Sequence, residues 1–485
     1  MSRARELPRR VIVAGDGQVG VLAAIALRQA LPASEVLVVG TPPDPAALAD
    51  RAATALPFTN RLHDRLGIEE ERLVRETGAS HRLAARYRGW GGEGQSGVGA
   101  YGAAVDPVLR TRFSKEWGGG PRNASIGAPP GSLGELLAAE GRFCPPSGEQ
   151  ASPLGEIDYA LRWNVPAYRD LLIGEAQRIG VRHVKGTVTA IEPDGEGGIA
   201  ALAVEGAGAV AADLYLDCTG PRATLLSQLP EAERVGWGKL LPIRALLVGR
   251  PGEPVVSLSD GIDLAGRGWR CELAGRDGRQ AVLAIAEGVG EVEAHTALGV
   301  EPLGLILLDP GRAAKPWLGN VVALGDAAAH FEPLAWFNLD LAHRQLALLL
   351  ELLPGRHPDP RERAEFNRRA GLMADRVLEL LAAHYAAPAA VTRFPGLQRP
   401  EQLVLALDQY TRRGRLPFFE ESPLQVQELS ALLHALGHRA GEGALSLAAD
   451  PRQAEAARAA LAAKAAAALQ AAPPYPDWLG RVLRS

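Results

Sequence analysis

Three short segments, far apart in the chain, carry the residue types that a nucleotide cofactor needs. Gly15-Asp16-Gly17-Gln18-Val19-Gly20 has the spacing Gly-x-Gly-x-x-Gly. Small residues there let backbone approach a pyrophosphate, and the start of a following helix offers free N–H groups and the positive end of its dipole. Thr219-Gly220 closes the run Ala212-Asp213-Leu214-Tyr215-Leu216-Asp217-Cys218, which reads as a buried strand ending in a small-residue turn. Gly325-Asp326 closes Asn320-Val321-Val322-Ala323-Leu324, which reads as a strand leading into a helix. Asp326 would repel a phosphate but suits hydrogen bonding to a ribityl hydroxyl; as a plain helix N-cap it would serve equally well. The glycines alone would also make an ordinary tight turn. In this order the three segments point to FAD rather than NAD, held by Gly15, Gly17, Gln18, Val19, Gly20, Thr219, Gly220, Gly325 and Asp326.

The elements that must position these residues follow from hydrophobic patterning. Residues 9–14 read as a strand, 21–30 as a helix packed on a sheet and 35–40 as a second buried strand, together one βαβ unit. Short helices and glycine-rich turns follow to 117, notably at 89–102, and 118–155 is the stretch with least pattern. A helix is predicted at 166–180, strands and hairpin turns at 181–220, alternating strands at 240–290 and a buried strand at 316–325. The remainder reads as helical, including a long Ala-rich helix at 450–472. The fold class is α/β: an FAD-binding Rossmann-like domain of the glutathione-reductase type, with an inserted β-sheet substrate region and a helical C-terminal part. Its segments fall at 9–110, 166–235 and 316–350 for the FAD-binding domain, 111–165 for a loop-rich insertion, 236–315 for the β-sheet region and 351–485 for the helices.

Composition excludes several other classes. The 485 residues are 47% hydrophobic and 22% charged with a net charge of −4, ordinary for a globular protein and giving no basic surface for nucleic acid or membrane. The three cysteines, Cys144, Cys218 and Cys271, have no zinc spacing and no disulfide framework. The ten histidines show no HExxH or facial-triad spacing, so no metal is expected, and there is no GxSxG elbow. His330 is expected to bond to backbone. The basic start MSRARELPRR precedes an apolar run too short for a signal peptide, and no apolar stretch is long enough to span a membrane, so a cytoplasmic location is expected.

The same segments, with others between them, resemble the flavin-dependent tryptophan halogenases. Leu66-Gly67-Ile68-Glu69, Arg75-Glu76-Thr77-Gly78-Ala79-Ser80-His81-Arg82-Leu83 and Trp90 look like the stretch after that family's first helix. Asn320 to Asp326 followed by Phe331-Glu332-Pro333-Leu334 is similar to its most specific signature, and Phe366-Asn367, His384-Tyr385 and Pro474-Tyr475-Pro476 match later landmarks. The resemblance covers the chain from about residue 9. It implies reduced FAD from a separate flavin reductase, a C4a-hydroperoxide that oxidises halide, and hypohalous acid travelling to a lysine beside an aromatic substrate, with a glutamate assisting.

At those functional positions the chain departs from the family. The lysine position holds Arg82, whose guanidinium stays protonated and cannot supply a neutral amine. The glutamate and serine positions after Pro333-Leu334 hold Ala335 and Trp336, and of a WxWxIP segment only Trp269 is kept in Trp269-Arg270-Cys271-Glu272-Leu273-Ala274. Gly40 stands where an acidic residue would bind the adenosine ribose, and Ala49-Asp50-Arg51-Ala52-Ala53-Thr54 stands where a glycine-rich loop would lie along the isoalloxazine. The family layout implies a substrate pocket formed by Glu332, Pro333, Ala335 and Trp336, with Arg82 stacking on the Trp336 indole. Three functions stay open. One is an FAD-dependent monooxygenase or oxidoreductase acting on a small aromatic molecule or aromatic side chain. Another is a catalytically silent binding protein, and the third a true halogenase with a rearranged site.

Overall fold

The computed structural model describes residues 6–41, 43–102, 132–146, 152–441 and 451–484. Much of the loop-rich insertion expected at 111–165 lies outside them. The chain divides into two compact units: residues 1–79, 162–246 and 305–377, and residues 80–161, 247–304 and 378–485.

The first unit is organised by a six-stranded sheet. Its strand order is Trp317–Leu318, Val321–Ala323, Leu214–Asp217, β1 (Arg10–Ala14), β2 (Glu35–Gly40), Arg182–Lys185. All neighbours run parallel except the first pair. β1 is central, and Val11, Ile12, Val13 and Ala14 are fully buried, the unbroken apolar run that a strand covered on both faces requires. Helix α1 (Gln18–Ala30) follows, buried from Gln18 to Leu27. It starts three residues before the helix expected at 21–30, so Gln18, Val19 and Gly20 form its first turn. The short helix α2 (Leu48–Arg51) overlaps the altered loop at 49–54, and α3 (Phe58–Leu66) follows it.

The Gly325-Asp326 segment differs from its expected form. Gly325–Ala327 is a single 3-10 turn, followed by the two-residue strand Ala329–His330, and the next α-helix begins only at Phe337. Asp326 is therefore not a helix N-cap. Phe331-Glu332-Pro333 interposes between turn and helix, and the proline has no N–H to contribute.

The second unit holds most of a seven-stranded mixed sheet in the order Pro302–Leu307, Ile243–Gly249, Gln280–Ala286, Gly268–Leu273, Ser259–Ala265, Ala84–Arg88, Ser96–Ala100. The last two strands pair antiparallel, so the glycine-rich stretch expected as turns contains a hairpin. Trp269 and Trp90 are fully buried and their indole N–H groups donate to the Tyr385 hydroxyl and the Ile262 carbonyl, each at 3.1 Å. The C-terminal helices include Glu401–Arg413, Val426–Ala435, Tyr475–Val482 and the Ala-rich Pro451–Ala471. Among the described residues, no helix is long and apolar enough to cross a membrane.

Candidate functional site

The turn after β1 is shaped by close backbone approach. Gly15 has φ +114°, and a Cβ on it would run into the Cys218 carbonyl; a Cβ on Gly20 would run into the Gly15 carbonyl. Both glycines are thus required by the packing of β1, α1 and the neighbouring strand. Gly17 differs, because a Cβ there would overlap the carboxyl group of Asp50.

Asp50 is held over the start of α1. Its Oδ1 accepts from the Val19 N–H at 2.9 Å, which satisfies one of the free donors of a helix whose cap residue, Gly17, supplies no side chain. Gln18 Nε2 donates to the carbonyls of Ala49 (2.7 Å) and Ala52 (2.9 Å), while its Oε1 accepts from Trp163 Nε1 at 3.2 Å. The Ala49 N–H donates to Asp326 Oδ2 at 2.6 Å, and Asp326 Oδ1 lies 2.9 Å from His330 Nδ1. The partner of His330 is therefore a carboxylate, not the backbone expected from the sequence. Gly325 takes φ +62° beside Val19, and its N–H donates to Gln345 Oε1 at 3.0 Å.

Burial dominates the electrostatics. It pushes the Asp50 carboxyl up to about 7; the Val19 N–H opposes this, the charges of Asp326 and Asp16 add to it and Arg169 opposes it. Beneath the turn, Trp163 packs on Tyr168 with ring centroids 4.5 Å apart, and the Tyr168 hydroxyl bonds His63 Nε2 at 2.6 Å. Burial lowers His63 to about 4, so this support is uncharged at neutral pH.

Thr219 and Gly220 serve the same neighbourhood from the next strand. Thr219 Oγ1 donates to Asp217 Oδ1 at 2.6 Å and accepts from the Thr224 N–H at 2.8 Å. Gly220 has φ +86°, and a Cβ there would crowd Ala47 and Asp44 just before α2. Every residue expected to hold the cofactor thus gathers around the start of α1 and α2. Asp50 itself escaped the sequence reading as a contact because its partner lies 31 positions away and nothing local marks it. At Gly40 no acid is present, but Asp16 Oδ2 stands 3.5 Å from where a Gly40 Cβ would be, paired with Arg169 Nη2 at 2.6 Å.

Of the expected pocket residues, Glu332, Pro333 and Trp336 are buried and Ala335 is half-buried. Ala335 (φ 57°) and Trp336 (φ 66°) are consecutive left-handed residues at the entrance to the helix Phe337–Glu351. Each costs roughly 1–2 kcal/mol relative to right-handed backbone, and strain of this kind gathers at functional turns. The buried Trp336 Nε1 meets no acceptor among the described residues.

In the second unit, Arg82 is 1% exposed; its Nη1 lies 3.6 Å from Asp260 Oδ2 and its guanidinium 5.2 Å from the Tyr101 ring centre. Within this unit Arg82 has Tyr101 as an aromatic partner. Asp260 Oδ1 accepts from the Ala274 N–H at 2.9 Å, which anchors the acid on the neighbouring backbone. No cluster of His, Cys, Asp and Glu suited to a metal ion occurs among the described residues.

A parallel sheet whose first crossover starts at a glycine turn, with a Gly-Asp turn after its last parallel strand, defines a Rossmann-like fold of the FAD-binding class. The chain belongs to the tryptophan halogenase family, whose model matches residues 10–441. Tryptophan 7-halogenase RebH of Lentzea aerocolonigenes is 25% identical over 408 residues, covering 78% of this chain and 76% of that protein. Tryptophan 7-halogenase KtzQ of Kutzneria sp. (strain 744) is 26% identical over 416 residues, with the same coverage of 78% and 76%. The solved structure of BrvH, a flavin-dependent halogenase from Brevundimonas sp. BAL3, shares the fold with a TM-score of 0.86 at 22% identity, over 98% of this chain and 99% of that one.

In the conformation described, the cradle does not accept the phosphates of FAD. The Asp50 carboxyl fills the space above Gly17, and Gln18, Val19 and Asp326 are all bonded to the 48–52 segment.

Proposed function

We propose that this chain is an FAD-dependent oxidoreductase, of the monooxygenase type, acting on an aromatic or indole-like group, and that halogen transfer is not its reaction. The observation that carries the second half is the state of Arg82. A buried guanidinium beside Asp260 and over Tyr101 is a fixed cation that cannot act as the neutral amine the halogen relay needs. Ala335 offers no carboxylate to accept a proton. The buried indole of Trp336 supplies a flat apolar surface and one N–H donor, which suits an aromatic ligand bearing an acceptor. A separate flavin reductase as the source of reduced cofactor, and a cytoplasmic location, belong to the same proposal.

The filled cradle above Gly17 favours a second reading, a catalytically silent member of the family that binds a ligand without flavin. One experiment separates them. The protein is incubated with FAD, NADH, a flavin reductase, bromide and a panel of indoles, and products are read by mass spectrometry. An oxygenated or dehydrogenated indole without bromine is the expected result. Robust formation of bromotryptophan would refute the exclusion of halogen transfer. No flavin uptake together with saturable indole binding would favour the silent reading.

A further inference from the structure

We propose that the Asp50 carboxyl group is an intramolecular latch on the flavin cradle, so that the cofactor enters only when the turn carrying α2 swings away from the start of α1. The inference rests on the flavin reading above and deepens it.

The polar contacts of the 48–52 segment are made with residues assigned to the cofactor. Val19 N–H, which would face a phosphate, is taken by Asp50. Gln18 is taken by the Ala49 and Ala52 carbonyls, and Asp326 by the Ala49 N–H. The segment thus occupies the cofactor's partners as well as its space. A carboxyl oxygen accepting from a first-turn N–H is the protein's own equivalent of a phosphate oxygen at a helix N-terminus. The helix it caps is 13 residues long and has no acidic residue in its first turn, so Asp50 is the acid that completes it.

The closed arrangement is also poised to open. α2 is only four residues long, and Asp50 faces two other acids, Asp326 and Asp16, with Arg169 as the nearby cation and Cys218 behind. Exchanging one N–H acceptor for another of similar strength costs little net free energy, so flavin phosphate can compete once the turn has moved.

The test compares wild type with Asp50→Ala, Asp50→Ser and Asp50→Asn, reading FAD affinity by flavin fluorescence and equilibrium dialysis and folding by thermal melting. Alanine and serine vacate the space above Gly17 and should tighten FAD binding about threefold to tenfold, the worth of one hydrogen bond. Asparagine keeps the size and the acceptor, so it should bind FAD no more tightly than wild type. Folded alanine and serine variants that bind FAD as wild type does would overturn the latch while leaving the flavin reading intact. Failure of all four folded proteins to take up FAD would overturn the flavin reading, and the latch with it. If alanine does not fold, the serine variant decides.

Discussion

The latch makes flavin uptake depend on pH with a definite sign. In the closed turn, burial raises the Asp50 carboxyl to about 7, with Asp326 and Asp16 adding to the shift and the Val19 N–H and Arg169 opposing it. Displaced into water, the same group would titrate near the ordinary aspartate value of about 3.9. The closed form therefore holds a proton that the open form releases. Lowering the pH stabilises closure, and raising it favours opening until the closed form is itself ionised. Between about pH 5 and pH 6.5, one proton leaves per flavin bound, so the apparent Kd should fall about tenfold per pH unit and then level above about pH 7.5. The full span of about three units corresponds to about 4 kcal/mol. His63 does not contribute, since burial keeps it neutral throughout this range. Asp50→Asn leaves the His330–Asp326 pair in place and so isolates the Asp50 contribution. Titrating the apoprotein with FAD in buffers from pH 5 to 8 gives the profile. A Kd that rises with pH in wild type, or a slope that persists in Asp50→Asn, would refute the reasoning.

Two stability predictions follow from the same unit. Asp217 is fully buried and accepts from the Thr219, Leu225 and Leu226 N–H groups at 3.1, 2.8 and 2.8 Å and from the Thr219 hydroxyl at 2.6 Å. Asp217→Ala strands those donors and should cost about 3 kcal/mol or more in urea unfolding, whereas a loss below about 1 kcal/mol would show that they find other acceptors. Ala335→Gly removes a left-handed alanine at φ 57° and should stabilise by about 0.5–1 kcal/mol, seen as a higher Tm; a lower Tm would mean that the Ala335 methyl group matters more for packing than for strain.

How far the sequence reaches depends on the range of the interaction that decides each feature. The parallel sheet and first crossover were legible because β1 is a continuous apolar run that a glycine turn interrupts, a local pattern with few alternatives. The start of α1 was misplaced by three residues because Gln18 and Gly20 read as turn, while in the fold Gly20 is helical and its lack of a side chain lets it sit against the Gly15 carbonyl. The helix expected at Asp326 failed for a similar reason. Gly-Asp-Ala-Ala-Ala has helical composition, but Pro333 and the left-handed pair Ala335-Trp336 delay the helix to Phe337. Partners were least legible of all. Asp50 meets Val19 and Arg82 meets Asp260 only after the chain has folded, and no local spacing encodes either pair.

The glycine motif itself changes meaning once the contacts are known. Gly15 and Gly20 are demanded by backbone atoms of this chain, so they would be needed whether or not a nucleotide ever bound. Only Gly17 opens space toward a ligand, and that space holds a carboxyl group from α2. The spacing Gly-x-Gly-x-x-Gly therefore establishes the crossover here, and its bearing on flavin reduces to one glycine and one acid. Arg82 and Ala335 pose the separate question of what the chain does once flavin is bound. Substituting Asp50 should thus change cofactor affinity without restoring halogen transfer, and Arg82→Lys should leave FAD affinity unchanged. A shift of both properties by either single substitution would show that cofactor entry and the choice of reaction are coupled.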